Sequence, residues 1–115
     1  MKLPHARLSP RIDNGVLYWY EGDTFTMNLE LKLRDPDGEE IIIPDTATVT
    51  VVFRDESEET VKEFTFEEIE GNTVVLEFDT NCTALFPAGK YTYDVYYDGE
   101  YRTTLINENK VVVEE

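Results

Sequence analysis

Apolar and polar side chains alternate along most of the chain, and the segment DTFTMNLELKLR at residues 23–34 shows this most clearly. Its polar side chains fall on one face of an extended backbone. The apolar side chains of the other face are Phe25, Met27, Leu29, Leu31 and Leu33. A period of two over about ten positions predicts a β-strand with one buried face.

Turn signals divide the rest of the chain into further short strands. Asp-Pro-Asp-Gly at 35–38 suits a tight reversal, because proline fits the second turn position and glycine the fourth. We therefore predict a return strand over Glu39–Ile43. Residues 79–86 suit one short helical turn, capped by Asp79 or Thr80. Alternation predicts further strands at 16–20, 47–53, 61–66, 74–78, 91–97, 101–106 and 110–114.

About eight or nine short strands, without a helix of more than two turns, predict an all-β fold arranged as an antiparallel sandwich or barrel. A parallel sheet would need crossover helices, for which the chain has no room. Residues 1–13 contain two prolines and no helical period, so we predict an extended N-terminal arm there. Residues 14–115 suit a single domain.

Five of the seven tyrosines lie in GKYTYDVYYDGEYRTTLI, at residues 89–106. Tyr91 follows PAGK at the start of a late strand, which is the place of the corner tyrosine in immunoglobulin-like sandwiches. We interpret Tyr91 and Tyr93 as one wall of the core, with Tyr97 and Tyr101 at its rim. The alternative interpretation is a surface that binds a ligand.

Two hairpin registers are compatible with the turn at residues 98–99. A two-residue loop would place Val95 opposite Arg102, which mixes core and solvent residues on one face. A three-residue loop would place Tyr97 opposite Tyr101, and we prefer it because burial selects the register.

In the preferred register, the outer face of this hairpin carries a charged cluster. Arg102 would lie across from Tyr96, with Asp94 and Asp98 as its diagonal neighbours. An arginine over a ring is a common cross-strand arrangement that stabilises a sheet by roughly 0.2–1 kcal/mol per pair.

A second aromatic cluster occurs in VLYWYEGD, at residues 16–23. Alternation places Leu17 and Trp19 on one side of this strand and Tyr18 and Tyr20 on the other, so both sides are apolar. Such a strand is either covered on both faces or exposed at an interface, where tyrosine and tryptophan are enriched. We regard it as a candidate contact surface, and the competing interpretation is that Trp19 fills the core.

Charge is distributed unevenly along the chain. The net charge is −15, yet residues 1–12 carry Lys2, Arg7 and Arg11 without any acid. Residues 55–70 carry eight acids against one lysine. An acidic body repels phosphate backbones and anionic membranes, so we expect neither nucleic acid nor membrane as a partner. The basic arm of one copy could instead lie on the acidic body of another.

Residues suited to catalysis or metal binding are few. Ser9 and Ser57 are the two serines, and together with His5 they predict no hydrolytic triad. We therefore expect no catalysis and no cofactor. Cys82 is the single cysteine, which predicts neither an internal disulfide nor a zinc site. Calcium remains an alternative because the 35–40 turn is rich in oxygen ligands. The candidate calcium ligands are Asp35, Asp37 and Glu39.

Three segments carry a family resemblance, in which a Gly-Asp entry, an Asp-x-Asp-Gly turn and a Pro-Ala-Gly-x-Tyr-x-Tyr entry occur in order. They are YEGDTFTMNLELKLRDPDGEEIIIPDTATVTVVFR, GNTVVLEFD and LFPAGKYTYDVYYDGEYRTTL. This pattern over residues 16–114 resembles small domains of bacteriophage and prophage particles, in particular the immunoglobulin-like N-terminal domain of baseplate upper proteins. The resemblance implies an antiparallel immunoglobulin-like β-sandwich of about 7–9 strands. It also implies a structural role without catalysis in a tail, baseplate or head decoration.

We therefore expect docking to other protein subunits, including other copies of the chain through the arm or an edge strand. The rival function is a carbohydrate-binding or adhesion sandwich, and a small enzyme is a third class. The N-terminal sequence lacks the roughly 7–15 apolar residues of a signal peptide, so we expect a virion component or otherwise a cytoplasmic protein. The interface candidates are Leu3, Arg7, Leu8, Arg11, Tyr18, Trp19, Tyr20, Tyr96 and Tyr101.

Overall fold

Two packed β-sheets make up almost all of the ordered secondary structure, which confirms the all-β prediction. The structure is a computed structural model, and it describes residues 9–43, 47–67, 69, 71–99 and 102–115. The elements are β1 (Arg11–Asp13), β2 (Val16–Tyr20), β3 (Phe25–Glu30), β4 (Thr48–Asp55), β5 (Thr60–Phe66), β6 (Thr73–Phe78), α1 (Thr80–Thr83), β7 (Gly89–Asp98) and β8 (Arg102–Glu114).

The sandwich has one six-stranded layer and one two-stranded layer. The strand order is β1-β2-β8-β7-β4-β5 in the large sheet and β3-β6 in the small one. In an immunoglobulin variable-type domain, strands G, F, C and C′ are neighbours in one sheet, and strands B and E belong to the other. Here β8, β7, β4 and β5 occupy the first set of positions, and β3 and β6 the second. The fold is therefore the immunoglobulin-like sandwich that we predicted.

One strand pair departs from the antiparallel prediction. β2 and β8 run parallel, with Leu17 opposite Val111 and Trp19 opposite Val113. A parallel pair needs a long connection between its strands. Here the intervening strands of the sandwich supply that connection, so no crossover helix is required.

The core is organised around Trp19, which has no exposed surface. Its ring centroid lies between 5.2 and 6.3 Å from those of Phe25, Phe53, Phe78 and Phe86. These rings come from β2, β3, β4, β6 and the segment after α1, so they join the two sheets. Aromatic side chains each bury about 150–250 Å², and this cluster therefore contributes a large part of the apolar burial.

The strand predicted over residues 24–34 is shorter in the structure. β3 ends at Glu30. The predicted return strand at 39–43 forms only an isolated bridge, between Arg34 and Glu40. The alternation of apolar and polar residues continues beyond Glu30. The backbone there, however, forms its hydrogen bonds with partners outside any regular strand.

Asn72 is one of those partners. Its side chain accepts a hydrogen bond from the Ile43 N–H and donates one to the Ile41 carbonyl, both at 2.7 Å. Its own carbonyl accepts from the Leu31 N–H, also at 2.7 Å. Asn72 is 3% exposed and has a φ of 57°, in the left-handed region that asparagine tolerates. One buried residue, through its side chain and its main-chain carbonyl, therefore ties two segments of loop backbone to the start of β6.

The predicted arm does not remain outside the domain as far as residue 13, because β1 pairs with β2 in the large sheet. The residues just before β1 are also attached. The Ser9 hydroxyl donates to the Asp23 carboxylate at 2.7 Å and accepts from the Tyr20 N–H at 3.0 Å. Residues 1–8 lie outside the described residues.

The short helix α1 lies where the sequence predicts a helical turn. Asp79 is its N-cap, and the Asp79 carboxylate accepts from the Cys82 N–H at 2.8 Å. Burial raises the pKa of the Cys82 thiol, and the opposing effect of Lys62 is smaller. A buried thiol with a raised pKa holds little thiolate, so Cys82 serves as a small core residue.

Candidate functional site

Tyr91 and Tyr93 of β7 form a wall of the core, which confirms that interpretation of the two residues. The Tyr93 ring lies 5.4 Å from that of Phe53, and the Tyr91 ring lies 5.2 Å from that of Phe86. The Tyr91 hydroxyl donates to the Pro87 carbonyl at 2.5 Å, which is the tyrosine-corner contact. Burial raises the pKa of both phenols. These two rings are packing groups of the core.

The β7–β8 hairpin has neither of the two predicted registers. Asp98 lies opposite Arg102 and Tyr97 lies opposite Thr103, so the loop is displaced toward β8. Tyr101, the expected partner of Tyr97, lies outside the described residues. From Tyr96 to Asp98 the shift from the preferred register is two residues, which keeps these side chains on their faces. Further from the loop the shift grows, so that Val95 lies opposite Ile106 and Tyr93 lies opposite Asn109.

Arg102 contacts Tyr96 even in this register, although Thr104 is the residue opposite Tyr96. The guanidinium carbon lies 4.9 Å from the ring centroid. Arg102 also donates to both carboxylate oxygens of Asp98, at 2.8 and 3.1 Å. These hydrogen bonds hold the pKa of Asp98 below its usual range. One face of the Tyr96 ring is therefore covered by a guanidinium.

Asp94 is a buried carboxylate on the outer side of the large sheet, with 3% of its surface exposed. It forms its ion pair with Arg54, on β4. It also accepts from the Tyr96 hydroxyl at 3.1 Å and from the Glu108 N–H at 2.5 Å. Both carboxylate oxygens are thus engaged, which makes Asp94 a structural group.

A bulge in β8 brings the Glu108 N–H to Asp94. The pairing of β7 with β8 shifts register on either side of Val95, and Glu108 has a φ of 51°. A bulge leaves backbone groups without ladder partners, and here a carboxylate satisfies one of them. The strands predicted at 101–106 and 110–114 are consequently a single strand with this irregularity in it.

A depression of about 540 Å³ lies beside Asp94 on the same face. Its lining includes Arg54, Glu56, Glu58, Asp94, Tyr96 and Glu108. A carboxylate pair acting as acid and base needs a free carboxylate in a shaped cleft. Both oxygens of Asp94 are hydrogen-bonded, and its charge is balanced by Arg54. The depression therefore has an acidic rim, but the carboxylate at its centre is already paired.

The candidate calcium ligands lie in the turn between β3 and the 39–43 segment. Asp35 Oδ1 accepts from the amides of Asp37 and Glu39, at 3.0 and 2.9 Å, and Gly38 has a φ of 87°. This carboxylate oxygen therefore closes the turn. Across the described parts of the chain, no group of three or more His, Cys, Asp or Glu side chains is placed to hold a metal ion.

Trp19 is not an interface residue, and that candidate is wrong. β2 lies between β1 and β8, and its inner side faces the aromatic cluster of the core. The side chains of Tyr18 and Tyr20, on the other side of the strand, are half-buried. The alternation could not decide the matter, because both sides of β2 are aromatic.

Arg11, Tyr18 and Tyr20 lie together at the β1 edge of the large sheet. The Arg11 guanidinium carbon is 4.7 Å from the Tyr18 ring centroid and 5.7 Å from that of Tyr20. Arg11 also forms an ion pair with Glu114. Ile12 projects to the opposite face and is 72% exposed, more than the other exposed large apolar side chains of the described chain.

Some interface candidates lie outside the described residues, and one exposed residue, Ile12, is not among the candidates. Leu3, Arg7 and Leu8 lie outside the described residues. Ile12 is not a candidate because residues 1–13 are interpreted as an arm. The signal that could have placed Ile12 in a strand is Asn14-Gly15, a residue pair that favours tight hairpin turns, and both residues have positive φ values in the β1–β2 turn.

Comparison with known proteins does not assign the chain to a family. No protein-family model matches the sequence. No curated protein matches it at a significant level. Among the described residues, no helix has the length and apolar character needed to cross a membrane.

Proposed function

We propose that the chain is a non-catalytic docking module that joins protein subunits through the β1 edge of its large sheet. The observation that carries this proposal is Ile12, a large apolar side chain that is 72% exposed on an edge strand. Edge strands offer unpaired backbone groups, and an exposed apolar anchor adds affinity for a partner. The family resemblance supports a phage or prophage particle as the setting.

The distribution of charge along the chain also supports the β1 edge as the contact surface. The N-terminal residues that lead into β1 carry the cations Lys2 and Arg7 and no acid, whereas the chain as a whole has a net charge of −15. A second copy or another acidic subunit would attract this segment. Arg11 already contacts the rings of Tyr18 and Tyr20 and forms an ion pair with Glu114. We therefore assign the attraction for an acidic partner to Lys2 and Arg7.

Sedimentation velocity at several protein concentrations tests the proposal. We expect the wild-type chain to associate with itself or with the products of neighbouring genes. Deletion of residues 1–8 and Ile12→Glu should both weaken that association. Val75→Glu is the matched control, because Val75 is also an exposed large apolar residue, at 51%, but lies on the small sheet.

Salt provides a second readout, since attraction between a basic segment and an acidic body weakens as salt is added. An association that neither variant alters would contradict the proposed role of the edge. So would the absence of any association with these partners. Tail or capsid genes beside this one would support the phage setting, and a neighbourhood of carbohydrate-processing genes would contradict it.

A further inference from the structure

The opposite edge of the large sheet is formed by β5, a seven-residue strand. Among the described residues it pairs only with β4. Its inner side carries the half-buried rings of Phe64 and Phe66, whose centroids are 6.5 Å apart in nearly parallel planes. Glu63 and Thr65 are exposed on its outer side. β5 is thus more than twice the length of β1 and has an unpaired side.

Pairing β5 with β5 of a second copy would extend the sheet across a two-fold axis. In an antiparallel pair, opposite residues share a face, so a symmetric pair can be centred on any single residue of the strand. Centring on Lys62 opposes two lysines, and centring on Glu63 opposes two glutamates. Centring on Thr65 opposes Glu63 and Glu67 twice. Like charges directly opposite one another destabilise a sheet.

Centring the pair on Phe64 avoids every such conflict. It places the two Phe64 rings opposite each other and Lys62 opposite Phe66 of the partner copy. Glu63 then faces Thr65 of the other chain. Within one chain the Lys62 amine already lies 5.4 Å from the Phe64 ring centroid, so a cation–π contact with a second ring needs little rearrangement.

We propose that β5 forms an antiparallel pair with β5 of a second copy, in the register centred on Phe64. The occupant of this edge is another copy because the charges on β5 permit one self-complementary register among the central positions. An inward-pointing lysine on an edge strand ordinarily discourages pairing. Here Lys62 excludes one wrong register and has an aromatic partner in the right one. Strand pairing alone buries less than a standard interface, so the dimer is weak and concentration-dependent.

Thr65 provides the test, because it is exposed and, in the symmetric pair, Thr65 of each copy would face Glu63 of the other. One substitution therefore changes two cross-strand pairs. Thr65→Glu creates two pairs of opposed acids, and Thr65→Lys creates two pairs of opposite charge. From the size of cross-strand pair energies, we expect Thr65→Glu to weaken the dimer about tenfold and Thr65→Lys to tighten it by a similar factor. Sedimentation equilibrium of the full chain measures both dissociation constants.

Thr26 supplies the matched controls, since it is an exposed threonine on β3 of the small sheet. Thr26→Glu and Thr26→Lys change the net charge by the same amounts as the Thr65 variants. We expect them to shift the dissociation constant far less. Melting curves verify that all four variants remain folded. The double variant Glu63→Lys, Thr65→Glu again creates two pairs of opposite charge, so it should reverse the loss caused by Thr65→Glu and tighten the dimer as Thr65→Lys does.

The inference is overturned if the Thr65 variants behave like the Thr26 variants. It is equally overturned if the wild-type chain stays monomeric at every concentration. The first outcome is distinct from a failure of the proposed function, which concerns β1, whereas a monomeric chain would also count against self-association through β1. If Ile12→Glu abolishes association and Thr65→Glu leaves it unchanged, the β1 proposal stands and the β5 proposal is wrong.

Discussion

Asn72 allows the energetic role of a single buried amide to be measured. Its side chain replaces a strand neighbour for the 41–43 segment, with hydrogen bonds of 2.7 Å to Ile43 and Ile41. We consider two substitutions, Asn72→Ala and Asn72→Gly. Both remove the two hydrogen bonds, but glycine accepts the observed φ of 57° without strain and alanine does not.

The expected loss follows from what each substitution leaves unsatisfied. Ile43 is 3% exposed, so its N–H would lose its partner in a buried place, at a cost of about 1–3 kcal/mol. Ile41 is 41% exposed, and water can reach its carbonyl, so this second loss is nearer to about 0.5–1 kcal/mol. Placing alanine at a positive φ adds about 1 kcal/mol. We therefore expect Asn72→Gly to lower the free energy of unfolding by about 1.5–4 kcal/mol, and Asn72→Ala by about 2.5–5 kcal/mol.

Urea denaturation at equilibrium measures these differences. A loss of about 4 kcal/mol moves the midpoint by roughly 2 M at an m-value typical of a small domain. Hydrogen exchange of the Ile43 amide gives a local check, because its protection should fall more than that of amides in β7. The reasoning is refuted if Asn72→Ala costs less than about 1 kcal/mol, or if the protection of Ile43 is unchanged.

Two further predictions concern a turn and an ion pair. Glu58 has a φ of 66° in the turn after β4. The similar turn at 35–39 has a glycine, Gly38, at the equivalent position. Glu58→Gly should therefore raise the free energy of unfolding by about 0.5–1 kcal/mol in urea denaturation, and Glu58→Gln, which removes only the charge, should not. Arg102→Gln should return the lowered pKa of Asp98 toward its usual value in an NMR titration. Because a depressed carboxylate pKa contributes stability above the unfolded pKa, the difference from wild type should disappear as the pH falls below about 4. An Asp98 pKa that does not move in the variant would contradict the assignment.

The strands that could be predicted are those whose burial alternates. β6 buries every second residue from Val74 to Phe78, and the inner tyrosines of β7 follow the same rule. The positions of these strands, and the side chains that each directs into the core, can therefore be predicted from local sequence alone. The Tyr91 corner was also predictable, because the PAGK turn fixes the start of the strand relative to the ring that returns to Pro87.

The features that escaped prediction depend on partners far away in sequence. Asp94 falls on the face of β7 that alternation assigns to solvent and so resembles a surface acid, but Arg54 and the Glu108 N–H converge on it from two other strands. The polar residues 107–109 interrupt the alternation where the β8 bulge lies, but they do not reveal that the Glu108 N–H reaches Asp94. Trp19 was ambiguous for a different reason, since a strand with aromatic residues on both sides gives no local sign of which side is buried.

The two proposed edges respond oppositely to salt, and this separates them without any mutation. Association through the N-terminal segment joins cations to an acidic body, so added salt weakens it. Pairing through β5 joins two chains that each carry a net charge of −15, so added salt reduces their repulsion and tightens the pair. The Debye length falls from about 30 Å at 0.01 M to about 8 Å at 0.15 M, so this range changes the screening between charges on the two copies strongly enough to be informative. A dissociation constant that rises with salt over this range assigns the dominant contact to the basic segment. One that falls assigns it to β5.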